Sequence, residues 1–514
     1  MFSKVKSCAV HGVDGRMIDV EADVNDGLPV FTMVGYLSSS VRESSERVRT
    51  ALKNSGFHLP PKRITINLSP ADMRKDGSGY DLAIATAVLL SLGVTAELPM
   101  EQTLVLGELS LDGSIKAIPG VLPMVICARE EGMTSCIVPK ENVQEAALVQ
   151  GISVIGVSSL KETMEYIQGI KEYENTNVEQ PAVDTSEYLY DIDFSDVVGQ
   201  ESIKRGMEIA AAGFHNVLLT GAAGAGKSML AKRLPTILPQ MSFEESLEVT
   251  KIYSVGGMLP PEGGLIHRRP FRAPHHTISE YALIGGGRVP TPGEVSFAHY
   301  GVLFLDELPE FSKPVLEVLR QPLEDRRIRI SRVQASYEFP ADFMFVAAMN
   351  PCPCGNYPDY RRCSCTEQQI RRYQSKVSGP LLDRIDIRME VKGVKQEVLF
   401  SKQKTESSKT IRARVEQARQ MQKERFAGTG LLFNSQLDGK NLEEYITLSE
   451  EGKRLVLQLF EEQELSVRGV HRVLKLARTI ADLAGSEEIE NAHLQEAAFY
   501  RNQDVFAKEV LYGN

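Results

Sequence analysis

The run Gly221-Ala222-Ala223-Gly224-Ala225-Gly226-Lys227-Ser228 fits the pattern GxxxxGK[ST]. Its chemistry is phosphate binding, because glycines let backbone N–H groups turn inward around an anion. Lys227 is suited to the β- and γ-phosphates of ATP, and the Ser228 hydroxyl to Mg²⁺. An apolar strand, NVLLT, precedes the run and a helix-forming stretch, MLAKRL, follows it, which is the context a P-loop requires. Further along, Gly301-Val-Leu-Phe-Leu-Asp306-Glu307 reads as a buried strand that ends in two carboxylates. Asp306 is placed to hold Mg²⁺ and Glu307 to orient or deprotonate an attacking water. A third apolar run, Phe343–Met349, ends in Asn350. That amide suits a sensor of the γ-phosphate or the water, although Asn-Pro is also an ordinary turn signal.

Four further groups carry chemistry. Arg384 sits among apolar residues in SGPLLDRID. It reads either as an arginine finger directed at a neighbouring subunit's γ-phosphate or as an ion-pair partner of Asp383 or Asp386. Arg468, in SVRGVHR before LKLARTIADL, is a candidate sensor-2 arginine, whereas Arg472 and Arg478 read as structural or surface groups. Cys352, Cys354, Cys363 and Cys365 form two CxC pairs with eight residues between them. They can supply four thiolates to a structural Zn²⁺, or stand as reduced cysteines in a loop. Arg327 and Arg329 alternate with Ile328 and Ile330, so a strand here has one basic and one apolar face. The basic face suits nucleic-acid phosphates, and a solvated face or interface ion pairs is the alternative.

The elements that position these groups follow from composition and pattern. A chain of 514 residues, 42% hydrophobic and 25% charged, is ordinary globular protein and too long for one domain. Residues 1–170 alternate strand and helix signals, with strands at Arg63–Leu68, Thr103–Gly107 and Ser135–Val138 and an apolar helix at Asp81–Leu92. Residues 171–193 read as an acidic linker. Residues 194–394 are α/β, with glycine- and proline-rich interruptions at 256–293 and 350–360 too irregular for core elements. Residues 395–514 read as helical and charged. The net charge of −10 excludes bulk attraction to nucleic acid or anionic membrane, so any DNA site must be a local patch. No apolar stretch reaches the ~18 residues of a membrane span. The N-terminus lacks a signal-peptide apolar region, so the chain reads as cytoplasmic.

DVVGQ (Asp196–Gln200), the P-loop, FRAPHHTIS, PGEVSFAHYGVLFLDELPEF, AAMNPCPCG and SGPLLDRID together resemble the magnesium-chelatase-like AAA+ ATPases, and more narrowly the YifB/ComM competence-protein family. The resemblance covers nearly the whole chain. It implies an AAA+ core with a helix-2 insert at Gly256–Gly293, a pre-sensor-1 hairpin at Arg326–Arg332, and a C-terminal helical lid bearing Arg468. It places Val198 beside the nucleotide with the P-loop residues. It also implies a homo-oligomeric ring, commonly a hexamer, and an ATP-driven DNA motor of the helicase or branch-migration kind, acting in recombination or uptake of transforming DNA. A chelatase-like remodeller of a protein or cofactor complex and a Lon-like ATP-dependent protease are the alternatives. KRITINLSPADMRKDGSGYDLAIATA and LVLGELSLDGSIKAIPGVLP resemble the Lon-protease-like, ribosomal-S5-type domain. Ser78 falls one place early for the Lon nucleophile, and Gly120-Val-Leu-Pro123 has no lysine where the family's base belongs. The resemblance therefore implies a non-proteolytic domain.

Overall fold

The computed structural model describes residues 1–172, 190–260, 264–332, 335–393 and 405–501. Most of the stretch read as an acidic linker, 173–189, lies outside the described residues.

The N-terminal part is built on a seven-stranded mixed sheet. Its strands run in the order Val30–Val34, Arg63–Ser69, Asp14–Asn25, Phe2–His11, Thr103–Val105, Ser135–Pro139 and Ser153–Val157. The two longest, Phe2–His11 and Asp14–Asn25, form an antiparallel hairpin at its centre. The helix Asp81–Ser91 packs on this sheet and is buried almost all round, as its unbroken apolar run requires. Its first residue, Asp81, is fully buried because Arg47 donates to both carboxylate oxygens, at 2.8 and 3.1 Å.

The second unit is a five-stranded, wholly parallel sheet in the order Phe271–Arg272, Val302–Leu305, Met344–Met349, Val217–Thr220 and Ile387–Glu390. The inner strands are continuous apolar runs because helices and loops cover both faces. The edge strand Phe271–Arg272 corrects one expectation. It lies inside the segment read as an irregular insertion, yet it pairs with Val302–Leu303 in the core sheet. Two residues carry no periodicity, so the sequence pattern could not show it.

The C-terminal helices Ser408–Arg425, Val467–Leu483 and Asn491–Arg501 share one hydrophobic core with the helix Glu201–Gly213 and the P-loop strand. Arg425, Arg478 and Asn434 all donate to the buried carboxylate of Asp482, which fixes this helical layer.

The described units meet at several points, among them a helix pair and the tip of a hairpin. Helix Val121–Glu130 lies against Phe243–Val255, where the Gly120 N–H donates to the Ser254 carbonyl at 3.0 Å. At the tip of the long N-terminal hairpin, the His11 ring stacks on Tyr337 with centroids 4.5 Å apart. A Cβ on the neighbouring Gly12 would stand 2.8 Å from the Glu338 carbonyl oxygen, so the two backbones touch. Tyr337 and Glu338 belong to the strand Ser336–Pro340, which pairs antiparallel with Arg327–Ser331. No described helix is long and apolar enough to cross a membrane.

Candidate functional site

Register brings the candidate residues together. Thr220 is level with Met349 and Leu305 with Ala347, so three parallel strands end side by side and deliver Gly221, Asp306 and Asn350 to one rim. The C-terminal edge of a parallel sheet is where such folds bind ligands. Gly224 and Gly226 take φ values of +78° and +94°, the left-handed region the P-loop turn needs.

Lys227 is buried at the start of the following helix, and its ammonium donates to the carbonyls of Gly221 (2.6 Å) and Ala222 (2.9 Å) and to Asn350 Oδ1 (3.0 Å). Burial lowers its pKa, and the carboxylates of Asp306 and Glu307 only partly offset this. Ser228 Oγ donates to Asp306 Oδ2 at 2.6 Å. A hydroxyl and a carboxylate so close together are a hard-oxygen donor set that fits Mg²⁺. Ala225 is buried beneath the loop, and Ala222 and Ala223 are exposed on it.

Glu307 also has left-handed backbone, φ +53°, and its side chain is 58% exposed, so its carboxylate is free to meet a water. Its N–H is held by Asp306 Oδ1 at 2.9 Å. His276 Nδ1 lies 4.0 Å from the Glu307 carboxylate. Sequence reasoning assigned His276 no part here, and the paired histidines of FRAPHHTIS were the available signal. Gln200 was missed as well. Its side-chain amide donates to the carbonyls of Ala225 (3.3 Å) and Lys392 (3.2 Å), fastening the DVVGQ turn to the P-loop. Val198 is half-buried in that turn.

The two candidate arginines are not at this rim. Arg384 pairs with Glu324 and donates to the Pro380 carbonyl at 2.7 Å. The expected intrachain alternatives are taken by others: Asp386 pairs with Arg472 at 2.5 Å, and Asp383 lies 3.9 Å from Arg501. Arg468 is exposed and lines a polar cleft of about 220 Å³ with Glu324, Arg326, Asp386 and Arg472. Glu324 thus links both arginines to one surface. Arg472 and Arg478 are structural, the latter bound to Asp482.

Arg327 and Arg329 project from one face of their strand while Ile328 and Ile330 are buried. The face is less basic than expected. Glu338, opposite Arg329 on the partner strand, accepts from Arg327 at 2.7 Å and Arg329 at 2.9 Å. The register that puts a carboxylate between them is a property of the hairpin, which the single strand could not show.

The four cysteines converge. Their sulfurs all lie within 4.8 Å of one another in the loop after Asn350. In the N-terminal part, the Ser78 hydroxyl donates to Glu108, and the ammonium of nearby Lys75 is directed to the carbonyls of Pro70 and Met73.

A parallel sheet with a P-loop, a strand-end acidic pair and a polar strand end beside it, joined to a helical C-terminal layer, defines a P-loop protein of the AAA+ type. Residues 193–399 match the family model described as magnesium chelatase, subunit ChlI. Residues 20–142 match subunit ChlI of Mg-chelatase, and 405–501 the ChlI C-terminal model. The chain is 40% identical over 503 residues to competence protein ComM of Haemophilus influenzae, covering 97% of each chain. It is 41% identical over 506 residues to the uncharacterised protein YifB of Escherichia coli, covering 98% of this chain and 97% of that one. It is also 30% identical over 183 residues to Lon protease 2 of Bacillus subtilis, about a third of either chain. The chain belongs to the YifB/ComM family of magnesium-chelatase-like AAA+ proteins.

Proposed function

We infer that this protein is an ATPase that assembles as a hexameric ring and uses hydrolysis to move on DNA. The observation that carries the ATPase reading is the meeting of Lys227, Ser228, Asp306 and Asn350 at one sheet rim, with hydrogen bonds of 2.6 to 3.0 Å among them.

ATP fits the loop Gly221–Ser228, whose backbone N–H groups would bind its phosphates while Lys227 exchanges its carbonyl partners for phosphate oxygens. Ser228 and Asp306 would hold Mg²⁺, which when bound neutralises charge on the phosphates. Glu307 would take the proton of the attacking water, and Asn350 would orient that water or the γ-phosphate. Arg384 and Arg468 lie on a different surface from the P-loop, which supports a role towards the nucleotide of a neighbouring copy. Such a site is complete only where two copies meet.

The DNA reading rests on the hairpin bearing Arg327 and Arg329, matched to the pre-sensor-1 hairpin, and on similarity to a protein named for competence. In a ring these residues would line a channel together with the insert at 256–293 and concentrate positive charge despite the net charge of −10. The protein would act on single-stranded or branched DNA during recombination or uptake of transforming DNA, in the cytoplasm. The N-terminal domain would be non-proteolytic, since Ser78 is partnered by a carboxylate and not by an amine that could take its proton. The three magnesium chelatase matches favour a second reading, remodelling of a protein or cofactor complex.

ATPase rates with single-stranded, duplex and junction DNA decide between the two. Stimulation by one of these DNAs is expected. A rate indifferent to all of them would remove the DNA motor and leave the remodeller.

A further inference from the structure

The loop that follows Asn350 is folded around four sulfurs. Cys352 Sγ lies 3.4 Å from Cys354 Sγ and 3.8 Å from Cys363 Sγ, and Cys354 and Cys363 are 3.6 Å apart. Cys365 completes the group. None of these cysteines forms a disulfide. Thiolates about 2.3 Å from a tetrahedral Zn²⁺ stand about 3.8 Å from each other, close to the spacing of Cys352, Cys354 and Cys363. The Tyr357 backbone N–H points at Cys352 Sγ, 3.4 Å away, the kind of contact that orients a ligand sulfur.

The cluster is also joined to the nucleotide site. Cys352 is fully buried and only two residues from Asn350, which accepts from Lys227. Between them, the Pro351 carbonyl accepts from Gln374 at 2.9 Å. Within the loop, Gly355 has φ +78°, and a Cβ there would meet the Ala223 nitrogen of the P-loop at 3.4 Å.

We propose that Cys352, Cys354, Cys363 and Cys365 bind one Zn²⁺ as a closed structural clip that holds this loop, and with it Asn350, against the P-loop. Soft thiolates select zinc over the magnesium used at the neighbouring oxygen ligands. Four protein ligands leave no open coordination position, so the ion is not a catalyst. Each thiol that arrives protonated releases its proton to solvent on binding, and no electron is transferred. The coupling to nucleotide rests on the ATPase reading, whereas the metal site does not.

The test uses the full-length, tag-free chain purified without chelator. Mass-spectrometric metal analysis is expected to find about one zinc per chain and a loss of at least about tenfold in the Cys354→Ser/Cys363→Ser variant. Zinc-free wild-type chain loaded with Co²⁺ alone should develop the thiolate charge-transfer and tetrahedral d–d absorption bands, which does not depend on a variant folding. Absence of zinc together with absence of those bands, or full zinc content in the double variant, would overturn the site. Removing zinc from the wild type should weaken binding of a non-hydrolysable ATP analogue about tenfold, roughly 1.4 kcal/mol. Unchanged analogue binding would overturn the clip's hold on Asn350. Zinc-loaded chain that bound no nucleotide at all would instead sink the ATPase reading, with the metal result intact.

Discussion

In the proposed ATPase, Lys227 and Glu307 would do separate jobs at one rim, and substitution separates them. Lys227→Ala removes a charge-assisted contact to phosphate, so nucleotide affinity should fall by about 2–3 kcal/mol, roughly 100-fold in Kd. Glu307→Gln keeps the shape and loses the base; binding should persist while kcat drops on the order of 10²–10⁴-fold. Equilibrium binding and single-turnover hydrolysis check both, and equal loss of binding in the two variants contradicts the assignment. These residues were legible because each follows directly on an apolar strand, so local sequence fixes both element and rim. His276 was not legible as a neighbour of Glu307, since the edge strand that delivers it, Phe271–Arg272, is two residues long. Gln200 was missed for another reason: its partners, Ala225 and Lys392, lie far along the chain.

At the scale of elements, the hairpin Arg327–Pro340 makes its own prediction. Glu338 occupies both guanidinium groups, so Glu338→Gln should free them and strengthen DNA binding, with a steeper salt dependence. Replacing Arg327 and Arg329 by alanine should weaken binding and flatten the slope of log K against log salt by about one per arginine. Binding isotherms across a salt series measure both, and DNA affinity unmoved in all variants takes the hairpin out of the interface.

A second element-scale prediction concerns the join between the sheet and the C-terminal helices. Burial pushes the Asp386 carboxyl up, but the charge of Arg472 and the neighbouring His215 ring, 3.5 Å away, outweigh it and hold it well below the usual carboxylate range. A folded pKa below the unfolded value of about 3.9 gives stability that is present above that pH and lost as pH falls through it towards the folded value. The thermal midpoint should therefore fall steeply below about pH 4. Asp386→Asn should lose about 3 kcal/mol at neutral pH, because it leaves Arg472 without its partner, and should show a shallower acid dependence. The sequence placed Asp386 beside Arg384 in one motif, but only packing across the core joins it to Arg472, 86 residues on.

For the whole molecule, the proposed ring would need Arg384 and Arg468, which lie apart from the P-loop, to complete a neighbour's site. Arg384→Ala should lower hydrolysis on the order of 10³-fold in uniform assemblies. Mixing with Lys227→Ala chains should restore part of the rate, since each variant supplies what the other lacks. Mixed assemblies with no recovery would place the arginine in a purely intrachain role with Glu324. Residue type made Arg384 readable as either a finger or an ion-pair partner; that Glu324 is the partner was not readable, because sixty residues separate them.

The His11–Tyr337 stack has a mechanical corollary. The arginine-bearing hairpin is propped by the tip of the central N-terminal ribbon, backbone against backbone at Gly12. If the hairpin swings, it must either lift away from that prop or lever the whole mixed sheet along with it. A tether engineered between those two tips would accordingly act as a brake on any stroke of the proposed motor.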